Sequence, residues 1–175
     1  MKPIISPNCR IRYPDLVTVG DESIIDDFCY FSTQISIGRC VHIGAGCLVA
    51  GGRERRFTMK DFSGLASGCK IYCTSDNFVH DLSGIVPAGM EDPKTHLITG
   101  DVTLMEYAVV GANSVVMPDN ALPEGVAIGA LSFVPPRFRF EPWTVYSGNP
   151  IRKVMPRNRK NVLAQVEKIR RFLEG

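Results

Sequence analysis

Residues 17–49 read VTVGDESIIDDFCYFSTQISIGRCVHIGAGCLV, and within them Val19, Ile25, Phe31, Ile37, Ile43 and Val49 recur every six residues. A helix places apolar residues near intervals of 3.6 and a hairpin strand alternates by two, so neither accounts for a period of six with glycine at the second place. A triangular coil does. Each six-residue unit supplies one short strand and a corner, three units close a turn, and the repeated aliphatics stack inside. Val19 then lies beneath Ile37, and Ile25 beneath Ile43.

Outward from this stretch the register resumes at Met59, Leu65 and Ile71. It returns at Ile98, Leu104, Val110, Val116, Leu122, Ile128 and Val134. Small or turn-forming residues follow these positions, as in Ile43-Gly44-Ala45-Gly46, Val110-Gly111-Ala112-Asn113 and Ile128-Gly129-Ala130, where the backbone has to turn tightly. The sequence predicts an all-β solenoid over residues 1–157, a parallel β-helix of hexapeptide repeats. From Asn161 onward Val162, Val166, Ile169 and Leu173 fall at helical spacing, which predicts an amphipathic C-terminal α-helix as a separate element over 158–175.

Two breaks interrupt the repeat, and breaks in a regular solenoid tend to carry function. The first, Ala50-Gly51-Gly52-Arg53-Glu54-Arg55-Arg56, reads as a corner adjustment with solvated charges. The second, the long loop 74–97, holds Ser75-Asp76-Asn77-Phe78, His80-Asp81, Glu91-Asp92 and His96, and is the main site candidate.

The Ile-Gly-x-Gly units, the Gly-Ala-Asn-Ser-Val-Val stretch at 111–116 and Ser147-Gly148-Asn149-Pro150 resemble the hexapeptide-repeat acetyltransferases, over roughly residues 15–157. The resemblance implies a left-handed coil, against the usual right-handed crossover. It also implies acetyl-CoA as acyl donor and a homotrimer whose active sites lie between adjacent coils. The extended thioester would run along a groove parallel to the coil axis. On that reading Gly111, Ala112 and Ala130 offer main-chain contacts to pantetheine. Pro150 belongs to the closing Gly-Asn-Pro motif, and Arg152, Lys153 and Arg157, with Arg159 and Lys160 nearby, take the phosphates of the ADP end. The family's Gly-Asn-Pro-Ala-Lys is Gly148-Asn149-Pro150-Ile151-Arg152 here, which keeps the charge but not the alanine.

Acyl transfer to a hydroxyl needs a base, and histidine is the usual choice. Family members acting on simple sugars carry a His after the strand that enters the long loop, and the matching place in Ile71-Tyr72-Cys73-Thr74-Ser75-Asp76 holds Asp76. Ser75-Asp76-Asn77-Phe78 resembles instead the Ser-Asp-Asp-Tyr segment of a branch of surface-polysaccharide acyltransferases. Asp76 is therefore expected as base or substrate-orienting carboxylate, with His80 as the alternative base and neither as the third reading. His96 reads as a partly buried loop residue and His42 as a corner residue.

Composition narrows the classes further. No apolar run approaches the roughly 18 residues of a membrane span, and the N-terminus lacks the pattern of a secretory signal, so a cytoplasmic protein is expected. The six cysteines then read as buried free thiols. The net charge of +2 hides a basic end, because residues 151–175 carry eight Lys or Arg against two acids. Aromatic residues are not interleaved among those charges, which argues against nucleic acid.

The resemblance as a whole implies transfer of an acetyl group from acetyl-CoA to a hydroxyl or amino group of a sugar or nucleotide-sugar precursor, in the making of a surface polysaccharide such as lipopolysaccharide. A non-enzymatic β-helix scaffold is the alternative. A carbonic anhydrase-type metalloenzyme on the same fold needs three histidines, two of them five apart. The separations here are 38 and 16, so no metal is expected.

Overall fold

Every repeat aliphatic from Ile25 to Val134, Ile98 excepted, is at most 5% exposed. The computed structural model describes residues 1–79 and 96–175, and in it these side chains fill a left-handed coil of about six turns. Val19 pairs in register with Ile37, and Ile25 with Ile43, as the period requires. Three interior rows result. The first holds Ile25, Ile43, Leu65, Val110, Ile128 and the ring of Tyr146; the second Phe31, Val49, Ile71, Val116 and Val134; the third Ile37, Met59, Leu104 and Leu122. The first row lies in an eight-stranded sheet. The other two share a nine-stranded sheet, because the strands Tyr30–Ile37 and Leu48–Met59 run on through the corner between them.

The corners make two separate demands. At corners such as Val110-Gly111 the residue after the core aliphatic has to be small, since a Cβ on Gly111 would lie 2.5 Å from the Ala130 nitrogen of the next turn. Two residues further on the backbone is left-handed, and there larger side chains are common: Phe28 (φ 60°), Phe62 (φ 58°), Tyr107 (φ 64°) and Leu131 (φ 56°). Each such residue costs about 1–2 kcal/mol. The cost is offset by rungs between turns, such as the Leu131 N–H donating to the Ala112 carbonyl at 2.9 Å. Phe28 and Leu131 point outward and are each 72% exposed, so nothing restricts their chemistry.

On the corner between the third and first rows, Phe62, Tyr107 and Trp143 stack with centroids 5.9 and 5.8 Å apart. Gly125 stands between the last two levels, left-handed at φ 69° and without a side chain in the way. The C-terminal helix, Arg159–Glu174, lies against this corner. Asn158 caps it by accepting the Asn161 N–H, so the helix begins at Arg159, within the expected 158–175. Val166 is buried beneath it, and Arg170 sits over the Phe62 ring. Among the described residues no helix is long and apolar enough to cross a membrane.

Three expectations are corrected. Ile98 does not restart the coil: it pairs antiparallel with Ser75 in the neck of the loop, and the coil resumes at Val102–Leu104 against Phe57–Met59. The first break is not a simple corner adjustment. The strand register steps from Ser32 opposite Ala50 to Gln34 opposite Arg56, so the extra residues form a bulge within a continuous strand. His42 is not at a corner but in the strand His42–Ile43, facing outward.

Candidate active site

The bulge and the long loop leave the coil at the same corner, between the second and third rows, on successive turns. The short 3-10 helix Pro14–Leu16 occupies that corner two turns below the bulge, with Ser32–Gln34 on the turn between. The loop's neck is the antiparallel pair Thr74–Ser75 and Ile98–Thr99. It is tied to the bulge, since the Thr74 hydroxyl donates to the Gly51 carbonyl at 3.1 Å and the Arg56 N–H donates to Asp101 Oδ1 at 3.0 Å. Asp76 follows directly on this neck and is half-buried. His80, the alternative base, lies outside the described residues, as does most of the loop.

The bulge is held from within. Thr33, 1% exposed, has its Oγ1 2.5 Å from the Arg55 carbonyl and 3.0 Å from that of Gly52. Gln34 donates through Nε2 to the Arg53 carbonyl at 2.7 Å and accepts from Arg56 Nη2 at 3.0 Å. Arg53 lies over the Tyr13 ring at 4.9 Å and pairs with Asp15 at 2.8 Å, while Arg12 approaches the same ring at 5.5 Å. The sequence reading passed over these arginines as solvated charge. A usable signal existed, because both breaks follow a second-row residue, Val49 and Ile71.

Gly111, Ala112 and Ala130 lie on a different corner, between the first and second rows. Val110 pairs with Ile128, which sets Ala112 and Ala130 one turn apart. Ala130 is exposed and Ala112 half-buried, leaving an edge of backbone with little side chain on it. Buried below the surface of this corner lie Cys29, Cys47 and Cys69. All six cysteines are free, but Cys9 and Cys40 are half-buried rather than buried.

At the end of the coil, Gly148-Asn149-Pro150 forms the turn between Thr144–Ser147 and Arg152–Pro156, which pair antiparallel. The basic residues there have different situations. Arg152 is exposed and makes no ion pair with the described carboxylates. Lys153 is 2.6 Å from Glu141, whose carboxylate raises its pKa; an exposed pair of this kind is exchanged for little cost. Arg157 departs from expectation. Its Nη1 donates to the carbonyls of Tyr107 at 2.6 Å and Gly125 at 3.1 Å, and burial lowers its pKa. The guanidinium is engaged with the coil as a clasp at the helix's base.

Of the remaining histidines, His42 is exposed with Nε2 2.9 Å from Asp26 Oδ2, and His96, expected to be partly buried, is exposed beside the loop's neck. Among the described residues no three His, Cys, Asp or Glu side chains are grouped to hold a metal ion. Two corners thus carry two kinds of surface. One offers backbone groups along a line, and the other a carboxylate and a fixed arginine-bearing bulge at the mouth of a loop.

No protein-family profile matches the chain. A dTDP-4-amino-4,6-dideoxy-D-glucose acyltransferase of Escherichia coli is 30% identical over 151 residues, covering 83% of this chain and 74% of that protein. Among solved structures, AntD, an N-acyltransferase from Bacillus cereus in complex with dTDP and 3-hydroxybutyryl-CoA, superimposes with a TM-score of 0.86 at 30% identity. The match covers 97% of this chain and 88% of that one. A hexapeptide-repeat-containing acetyltransferase from Vibrio cholerae, complexed with acetyl-CoA, shares the fold at a TM-score of 0.60 and 16% identity, over 79% of this chain and 69% of that one.

Proposed function

Since the chain belongs to the hexapeptide-repeat sugar acyltransferases, we propose that it transfers an acyl group, acetyl in the simplest case, from its CoA thioester to the amino group of a nucleotide-linked aminosugar. The observation that carries this reading is the 30% identity to the Escherichia coli aminosugar acyltransferase across most of both chains. An amine acceptor also agrees with the absence of a family histidine after Ile71-Tyr72-Cys73, because a neutral amine attacks a thioester without a strong base.

In the proposed reaction the acceptor nitrogen attacks the thioester carbonyl carbon and the C–N bond forms. The C–S bond then breaks, and the proton lost by nitrogen ends on the departing thiol or on solvent. Asp76 orients the amine and accepts its hydrogen bond. Gly111, Ala112 and Ala130 contact pantetheine through the backbone, Pro150 shapes the end of that track, and Arg152 and Lys153 meet the ADP phosphates. The coils assemble as a homotrimer, with the donor groove between neighbours. The protein acts in the cytoplasm, where acyl-CoA and nucleotide sugars are supplied, and its product feeds a surface glycan.

The test is incubation of the purified protein with acetyl-CoA and dTDP-4-amino-4,6-dideoxyglucose, following thiol release and product mass. Release of CoA with a product heavier by one acetyl group is expected. No turnover with this or other nucleotide-linked aminosugars, alongside turnover of acceptors bearing hydroxyls only, would overturn the amine assignment. Sedimentation equilibrium tests the trimer.

A further inference from the structure

We propose that the bulge of residues 50–56 is the diphosphate-binding element for the acceptor, with Arg55 and Arg53 as the phosphate-binding side chains. The inference rests on the nucleotide-sugar reading above and names the part of this chain that recognises the nucleotide end.

Position is the first argument. The bulge is the level directly below the loop's neck, on the same corner, and the hydroxyl of Thr74 is bonded to its Gly51 carbonyl. A Cβ built on Gly51 would meet the Cβ of Cys73 at 2.7 Å and that of Arg55 at 3.2 Å. Arg55 therefore starts beside Cys73, three residues before Asp76. Three extended residues span about 10 Å, a distance that a guanidinium on its flexible stem, a pyranose ring and its anomeric phosphate bridge between them.

Charge and rigidity are the second and third. Arg55 makes no ion pair with the described carboxylates, although Glu54 is its neighbour and Asp101 caps the Arg56 N–H. Its backbone carbonyl is fixed by the buried Thr33 hydroxyl, so the side chain is presented from a built platform rather than from a loose loop. Arg53 is aimed by the Tyr13 ring, and its one carboxylate partner among the described residues, Asp15, forms an exposed pair that a phosphate can replace. Guanidinium forks match phosphate oxygens in pairs, which favours a diphosphate over a monophosphate or an uncharged sugar. An insertion that served only to solvate charge would not need its carbonyls pinned by a buried threonine and by Gln34.

The experiment uses the full chain and isothermal titration with dTDP, dTMP and acetyl-CoA, comparing wild type with Arg55→Gln and Arg53→Gln, and with Arg55→Lys as a charge-conserving variant. Each glutamine variant is expected to weaken dTDP at least tenfold and to narrow the preference for dTDP over dTMP, with acetyl-CoA affinity within twofold of wild type. Arg55→Lys should recover part of the loss. Wild-type dTDP affinity in both glutamine variants overturns the arginine assignment and leaves the acceptor reading standing. If the wild type binds acetyl-CoA but neither dTDP nor dTMP, the nucleotide-sugar reading fails and this inference falls with it. Equal losses of dTDP and acetyl-CoA affinity would mean a damaged fold, and would also overturn the assignment.

Discussion

A Cβ on Gly125 would lie 2.4 Å from the indole of Trp143, so the glycine is the slot through which that ring reaches Tyr107. The slot is also left-handed, and the Arg157 clasp closes on the Gly125 carbonyl. Gly125→Ala therefore combines backbone strain with overpacking of a ring that cannot swing away cheaply. A loss of about 2–4 kcal/mol is expected from urea unfolding. In a Trp143→Ala background the same substitution should cost only the backbone part, about 1–2 kcal/mol. Equal costs in the two backgrounds would show that the ring does not depend on the slot.

Ala130 is the exposed member of the stacked pair on the proposed donor track. Ala130→Trp places a bulky side chain on the line of backbone groups without entering the core. The KM for acetyl-CoA should rise at least tenfold, with the unfolding midpoint little changed. An unaltered KM would move the donor to another corner.

Asp76 follows the strand pair that closes the loop. Asp76→Asn keeps the shape and removes the charge, so turnover should fall at least tenfold while acetyl-CoA affinity changes little. Near-normal turnover would remove Asp76 from the site.

Cys73 lies at the root of the loop, and burial pushes its thiol up to about 12. Below the ordinary thiol pKa near 9 both folded and unfolded chains keep the proton, and the contribution to stability is complete. Above it the unfolded chain releases its proton first, so stability falls by up to about 1.4 kcal/mol per pH unit until the folded value is passed. Urea titrations between pH 9 and 10.5 should show a shallower loss in Cys73→Ala than in wild type. Parallel slopes would contradict the burial argument.

The rows were readable in the sequence because a six-residue period is the direct imprint of a core that repeats every strand. Their interruptions were not. Ile98 has the right residue type and spacing, yet it pairs in the loop's neck, and an aliphatic in a short strand looks alike in either setting. The left-handed corner residues leave no compositional mark, since Phe28 and Leu131 face solvent. Arg157 was grouped with the basic tail because charge alone does not tell a phosphate ligand from a donor to buried carbonyls; its three-dimensional neighbours, Tyr107 and Gly125, are far away in the chain. Of the proposed site, the Gly-Ala corner and Asp76 could be suggested from motifs, whereas the arginine bulge needed the topology that puts residues 50–56 under residue 74.

The long loop enters and leaves through one short antiparallel strand pair, Thr74 opposite Thr99 and Ser75 opposite Ile98. Whatever is spliced between those strands interrupts no rung of the coil, and the Gly-Ala edge belongs to another corner. On the proposed reading, the loop's part in acceptor choice is thereby uncoupled from thioester handling, and a chimera carrying a foreign 76–97 segment is expected still to bind acetyl-CoA.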